Sequence, residues 1–330
     1  MRRRRIPWAL YGTALTFLAG GLYLFGVAIA IPRRLLVLDN PTALMVNEML
    51  VWYSGVPLVA GLLLIAIDLY WHLPDINRAR ALRYAPLENA DVTVVLTAYN
   101  DEVVIADAVR DFASHPRVKR VIVVSNNSRD RTIERASEAG AIALNEEIQG
   151  YGACVRRALI EGSRYDDTQL TLLSEGDATF RAYDIDKFIA YMPHADIVCG
   201  SRTAILLQQP RTQLTTFMHY GNLFVSKLLE AKHIGRSTLS DVGTTYKLCR
   251  NSALESLLPT LSPYVNLEFN PYFLDKAIAA GLTVVECPIT FHPRGGVSKG
   301  GNVNDWVAFK VGMRMIRGIL IGWDERPSPT

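Results

Sequence analysis

The chain has 330 residues, 49% of them hydrophobic, four cysteines and a formal net charge of +3 at pH 7. That length holds one sizeable globular domain plus a more apolar part, and so small a positive charge is too weak by itself to argue for nucleic acid, which is not expected as a partner. Cys154, Cys199, Cys249 and Cys287 are widely spaced with no C-x-x-C pair, which argues against a zinc site or a disulfide framework and for core residues in a reducing compartment.

From Ile6 to Pro32 no residue is charged, and Leu50 to Ile67 is again free of charge, followed by Asp68, Tyr70 and Trp71. Each run is long enough, or nearly so, to cross a bilayer as a helix, and the polar and aromatic flank suits a headgroup boundary. Two transmembrane helices are expected, at about 6–32 and 50–71, within a segment of membrane anchor and linker covering residues 1–87. A cleaved signal peptide is the rival for the first run, with Arg2 to Arg5 as its basic start, but the apolar stretch is too long and a second span follows. Basic residues cluster before the first span and after the second, at Arg78, Arg80 and Arg83, with only Arg33 and Arg34 between. Both ends are therefore expected in the cytoplasm.

Beyond the anchor, β-branched apolar runs alternate with helical patterns. Asp91 to Thr97, Val118 to Val124, Ala141 to Leu144 and Leu170 to Leu173 read as strands, and Asp101 to Ser114, Arg131 to Ala139 and Gly152 to Ser163 as helices. Such alternation predicts an α/β fold, a mostly parallel sheet with helices on both faces, over residues 88–303. Ligands then bind beyond the carboxyl ends of the strands. Three polar sequences fall there: Thr97-Ala-Tyr-Asn-Asp-Glu102, Ser125-Asn-Asn-Ser-Arg-Asp130 and Glu175-Gly-Asp177. In the last, residues i and i+2 of an extended segment point the same way, and the glycine lets a ligand approach. Two hard oxygen ligands with open positions suit Mg²⁺ or Mn²⁺ carrying a diphosphate. Alone, the pair reads more readily as a polar turn ending a strand.

These sequences, taken with Gly150-Tyr-Gly-Ala153, Asp196-Ile-Val-Cys-Gly-Ser-Arg202 and Arg294-Gly-Gly-Val-Ser-Lys299, resemble the family 2 inverting glycosyltransferases over roughly residues 90–300. The similarity is to the dolichyl-phosphate mannose synthase type, the polyprenyl-phosphate glycosyltransferases. The resemblance implies a GT-A fold, a nucleotide-sugar donor (GDP- or UDP-linked) and a polyprenyl phosphate acceptor. It implies that Asp177 and Glu175 hold the metal, that Ala98, Tyr99, Asp101, Asn126, Asp130 and Gly152 serve the donor, and that Arg294 and Lys299 supply catalytic positive charge. Arg202, Arg211, Thr215 and Ser298 fall to the acceptor phosphate. Glu175 stands where the family usually has aspartate, Ser125-Asn126 replaces a common Asp-Asp pair, and Tyr151 stands where lysine is frequent. The processive Q-x-x-R-W hallmark is absent, which favours transfer of a single sugar.

The same residues make chemical sense without the family. A departing nucleoside diphosphate needs a cation and guanidinium or ammonium groups for its developing charge. Arginine's planar fork binds two phosphate oxygens at once. A hydroxyl acceptor requires a general base, with Asp241 as candidate, whereas a lipid monophosphate is already an anion and needs only positioning. Asp241 serves equally well as a backbone turn or cap. Two alternatives stay open: the same fold acting on a hydroxyl of a lipid or envelope glycan, and a catalytically weak sugar-nucleotide-binding membrane protein.

From Asp305 to Trp323, Trp306, Phe309, Met313, Ile316, Leu320 and Trp323 share one helical face beside a basic stripe of Lys310, Arg314 and Arg317. Residues 304–330 are thus expected to form an interfacial helix and tail in contact with membrane lipids; packing onto the sheet is the competing expectation. The oligomeric state is left open, a homo-oligomer included.

Overall fold

The structure is a computed structural model and describes residues 6–35, 40–79, 83–296 and 304–326. It falls into two compact units, one made of the N-terminal helices with Leu228–Gly235, the other of the remaining chain.

The first unit contains α1 (Trp8–Leu35), α2 (Pro41–Tyr53) and α3 (Gly55–Ala79). Two stretches, Trp8–Leu35 and Pro41–His72, have mean hydropathies of 2.1 and 2.2 and are long and apolar enough to cross a membrane. The second begins earlier than the charge-free run from Leu50. Asn40 caps α2, its Oδ1 accepting from the backbone of Thr42 at 3.0 Å and Ala43 at 3.2 Å, with Pro41 at the first helical position. Glu48 lies inside this helix, so the charge-free run begins only after it. The buried Asp68 accepts from the Ala9 backbone N–H at 2.8 Å and so satisfies an otherwise orphaned donor at the start of α1.

The second unit runs β1 (Val92–Ala98), α4 (Ile105–Ala113), β2 (Val118–Ser125), α5 (Thr132–Glu138), β3 (Ile142–Asn145), α6 (Tyr151–Gly162) and β4 (Leu170–Glu175). It continues through α7 (Ile185–Tyr191), β5 (Ile197–Ser201), α8 (Thr216–Lys232, which from Leu228 belongs to the first unit), β6 (Lys247–Arg250), α9 (Asn251–Leu257), α10 (Phe269–Ala279), β7 (Val284–Pro288) and α11 (Asp305–Leu320). The elements expected up to Leu173 all form, within a few residues of their predicted ends. β1 is buried along its whole length, as expected of a central strand covered on both faces.

The seven strands lie in the order β3-β2-β1-β4-β6-β5-β7, with β6 alone antiparallel to its neighbours. That reversal matters for the site. Leu173 pairs with Lys247 and Leu172 with Leu248, so the residues preceding β6 arrive at the edge where the parallel strands end. One core cluster, including Leu96, Phe112, Val123, Phe188 and Tyr246, anchors the sheet and its helices. Each such side chain stabilises the fold by roughly 1.5–3 kcal/mol on burial. The four cysteines are free and buried.

The segment from Arg83, which the sequence reading assigned to the anchor, is bound to the globular unit. Arg83 pairs with Asp196, Ala85 N donates to Pro193 O at 2.8 Å, and Arg250 Nη2 donates to Ala85 O at 2.5 Å.

Candidate active site

The ends of β1, β2 and β4 are held side by side by backbone bonds: Asn126 N donates to Ala98 O at 3.0 Å and Gly176 N to Thr97 O at 2.9 Å. Asn100, Asn127 and Ala178, one in each following loop, have φ of 53°, 56° and 62°. Left-handed non-glycine residues carry strain, and strain of this kind gathers at functional loops. The three loops border a cleft of about 960 Å³, into which Ala98, Tyr99, Asp101, Asn126, Glu175 and Arg294 face.

Glu175 and Asp177 do come together, though they differ in exposure. Glu175 lines the cleft and its Oε1 accepts from Thr245 Oγ1 at 2.7 Å. Asp177 is 1% exposed and is not part of the lining. Its Oδ1 accepts from the backbone N–H and hydroxyl of Thr179 at 3.0 and 2.6 Å, while Oδ2 has no hydrogen-bond partner. Burial, and then the neighbouring Glu175 carboxylate, push the Asp177 carboxyl up to about 7 against the pull of Arg294. An orphaned carboxylate oxygen beside a second carboxylate fits a divalent cation. Among the described residues no third His, Cys, Asp or Glu joins them, so further coordination would come from water or ligand oxygens.

Arg294 is brought here by its loop. His292 N donates to Thr179 O at 3.0 Å and Gly295 N to Asp177 O at 3.1 Å, stitching residues 292–295 onto the β4 loop. The Arg294 Nε lies 3.2 Å from Asp177 Oδ2, without hydrogen-bond alignment, and its Nη2 is 3.9 Å from Asp101 Oδ1. Ser298 and Lys299, expected to act with it, lie outside the described residues.

Asp241 is differently engaged from the base the sequence offered. It is buried, and its oxygens accept from Arg202 N (3.0 Å), Nε (2.7 Å) and Nη2 (2.8 Å), Asn222 Nδ2 (3.0 Å) and Gly243 N (3.3 Å). Burial alone would raise its pKa, but the Arg202 charge and hydrogen bonds outweigh burial and lower it. A carboxylate so filled is poorly placed to take a proton. Arg202 is equally spent: it lines the cleft, but its fork is committed to Asp241.

On the donor side, Asn126 reaches the cleft, but its amide organises the next loop. Its Oδ1 accepts from Gly150 N at 2.8 Å and its Nδ2 donates to Ile148 O at 2.8 Å. Asp101 accepts from Tyr99 N at 3.0 Å and holds the first loop closed. Asp130 is outside the lining; it accepts from Glu102 N at 3.2 Å and from Thr132 N at 3.0 Å at the start of α5. Gly152 is a packing residue, since a Cβ there would sit 1.7 Å from Val265 O.

The acceptor residues divide further. Arg211 is exposed, with φ of 66°, and does not line the cleft. Thr215 accepts from Met218 N at 3.2 Å, capping α8, and donates to Asp305 Oδ1 at 2.9 Å at the start of α11. Between these two helices the cleft turns apolar, lined by Phe217, Phe224, Val225, Phe309, Met313 and Ile316. Within α11, Val311, Gly318 and Ile319 are buried, Trp306 is exposed, and Arg314 pairs with Glu268 at 3.2 Å. The helix thus packs on the globular unit and gives part of its expected membrane face to the cleft.

Sequence reasoning missed Thr179, Thr245 and Asn270, and noted Tyr151 only as a departure. Pairing around the reversed β6 is what joins Thr245 to Glu175, and no local pattern announces that.

A mostly parallel sheet with helices on both faces and its cleft at the carboxyl ends of the strands has the architecture of the GT-A glycosyltransferases. The glycosyl transferase family 2 profile matches residues 93–258, half of the chain, and the protein belongs to that family. A dolichyl-phosphate hexose transferase of Haloferax volcanii is 25% identical over 210 residues, 63% of this chain and 86% of that one. An uncharacterised glycosyltransferase of Mycobacterium tuberculosis is 29% identical over 211 residues, 63% of this chain and 88% of its own. In fold, the chain is similar to glucosyl-3-phosphoglycerate synthase from Mycobacterium tuberculosis in complex with Mn²⁺ and UDP-glucose. The TM-score is 0.52 at 14% identity, covering 76% of this chain and 83% of that one.

Proposed function

We propose that this glycosyltransferase is membrane-bound, inverting and non-processive, and moves one hexosyl group from a GDP- or UDP-sugar to a polyprenyl phosphate at the cytoplasmic face, using Mg²⁺ or Mn²⁺. The observation that carries this reading is the two-ended cleft, with Asp101, Glu175 and Arg294 at one end and an apolar arm between α8 and α11 along the rest. A charged head with a long hydrocarbon tail matches such a cleft better than a glycan chain would, because a glycan's hydroxyls would be left unpaired against Phe and Met side chains. The two apolar N-terminal helices and the name of the Haloferax volcanii relative agree with it.

In this reading Glu175 and Asp177 hold the divalent cation, which supplies positive charge to the departing diphosphate. Arg294 adds a guanidinium on the same side. Tyr99 offers a partly exposed ring beside Ala98 for the donor base. With Asp241 engaged by Arg202, no proton acceptor is required if the nucleophile is a phosphate anion.

The test is a panel of radiolabelled GDP- and UDP-sugars offered to the detergent-solubilised protein with and without polyprenyl phosphate. Label in the prenyl lipid, dependent on Mg²⁺ or Mn²⁺ and lost in chelator, is the expected result. Transfer to hydroxyl acceptors in the absence of prenyl phosphate would replace this reading.

A further inference from the structure

Glu175 is the carboxylate that faces the cleft, and a glutamate has three rotatable side-chain bonds, so something must keep it turned toward Asp177. The reversed strand β6 supplies that restraint. Continuing its register with β4 by two residues past the Leu173–Lys247 pair sets Thr245 opposite Glu175, and the hydroxyl donates to Oε1 at 2.7 Å.

Behind this bond lies a buried polar chain. Tyr151 Oη is 2.5 Å from Thr245 Oγ1, Asn270 Nδ2 is 3.1 Å from Tyr151 Oη and 3.2 Å from Thr245 Oγ1, and Lys247 Nζ is 3.0 Å from Asn270 Oδ1. Thr245 and Lys247 are each 1% exposed. The direction of every bond follows from the groups at the ends. A carboxylate only accepts, so the Thr245 proton points at Glu175, and Thr245 must then accept from Tyr151. Lys247 donates to Asn270 Oδ1, and the Gly243 carbonyl, 3.1 Å from Nδ2, only accepts. The amide is therefore oriented with its NH2 group toward Gly243 O and Tyr151 Oη, and the bonds that link the chain all donate in one sense, from Lys247 to Glu175. Lys247 makes no ion pair with a carboxylate among the described residues; burial lowers its pKa. An ammonium buried without a carboxylate partner costs stability, and the acceptors that Nζ reaches are Asn270 Oδ1 and the Thr244 carbonyl.

We propose that Thr245 is a positioning residue for Glu175, and that Lys247, Asn270 and Tyr151 fix the direction in which its hydroxyl donates, leaving the second Glu175 oxygen free for the cation. The inference rests on the reading of Glu175 and Asp177 as a cation site. Partners that orient a metal-binding carboxylate typically change metal affinity by about 10- to 100-fold when removed.

The experiment measures Mn²⁺ binding to the full chain by electron paramagnetic resonance, with UDP or GDP present and no acceptor. Thr245→Val is expected to weaken Mn²⁺ by about 10-fold or more, Thr245→Ser to restore it, and Tyr151→Phe to weaken it by less. Thr245→Val binding like wild type, or Thr245→Ser binding as poorly as Thr245→Val, overturns the positioning role. If Thr245→Val does not fold, Tyr151→Phe against wild type decides, and equal affinity overturns the chain. Wild-type protein that binds no Mn²⁺ with either nucleotide is a different failure: it removes the cation site itself, and the positioning role with it.

Discussion

At Asp177 a carboxylate oxygen without a hydrogen-bond partner sits in a site nearly closed to water, next to a second carboxylate and against a guanidinium. Its carboxyl is raised to about 7 from 3.8, chiefly by burial. The sign follows from linkage. Between those values the folded protein holds a proton that the unfolded chain has released, so this contribution to stability is lost as pH rises toward 7. In the proposed function a dication would take the proton's place. The rise in melting temperature on adding Mn²⁺ is therefore expected to be larger at pH 8 than at pH 6, by thermal unfolding in both buffers. Asp177→Asn should lose that rise together with transfer activity. For Asp241 the expectation is structural. Removing its charge leaves Arg202 buried and unpaired, which costs about 3–5 kcal/mol, so Asp241→Asn should unfold early in denaturant yet retain measurable turnover per folded molecule. A stable but inactive Asp241→Asn would restore it as the base.

Among the elements, α11 has the most telling position. Phe309, Val311, Met313 and Ile316 line the apolar arm, Val311 being nearly covered, while Ile319 is buried in the packing. Placing a carboxylate on the cleft-facing residues alone should separate the substrates: Met313→Glu is expected to raise the acceptor KM by roughly 10-fold, about 1.4 kcal/mol, with the donor KM nearly unchanged in steady-state kinetics. Equal effects on both substrates would take the arm out of acceptor binding. In the N-terminal unit, α1 and α3 approach so closely at Gly12 that a Cβ would lie 2.5 Å from Gly61 O. Close backbone approach of this kind is how small residues pair apolar helices. Gly12→Val should force them apart and lower the melting temperature in detergent, read by fluorescence-detected size exclusion after heating, whereas Gly20→Val, with open space around it, should not.

For the whole molecule, the distribution of arginines around the apolar helices predicts that both chain ends face the cytoplasm. A carboxyl-terminal reporter should be cytoplasmic, and a cysteine introduced near Asn40 should react with an impermeant thiol reagent from outside, where the four native cysteines are buried. Reaction only after permeabilisation would mean that the hairpin does not cross, and would leave the assignment of the carboxylate site untouched.

Much of this protein was determined by local pattern alone. Alternating β-branched and helical runs specified the strands and helices up to β4, because hydrophobic period is a property of adjacent residues. Glu175, Asp177 and the first-strand loop were legible as chemistry for the same reason, each sitting in a short polar sequence ending an apolar run, whereas Arg294 was picked out by the family resemblance. What the fold alone decided are the pairings between distant segments. The reversal of β6 brings Thr245 to Glu175, the fold joins the buried Arg202 to Asp241, and the stitching of residues 292–295 onto the β4 loop sets Arg294 on Asp177. Arg211 looked like a phosphate ligand in sequence and is exposed away from the cleft in space. A side chain's type states what it can bind, but its partners are set by which backbone segments the sheet order places together, and that order is a property of the whole chain.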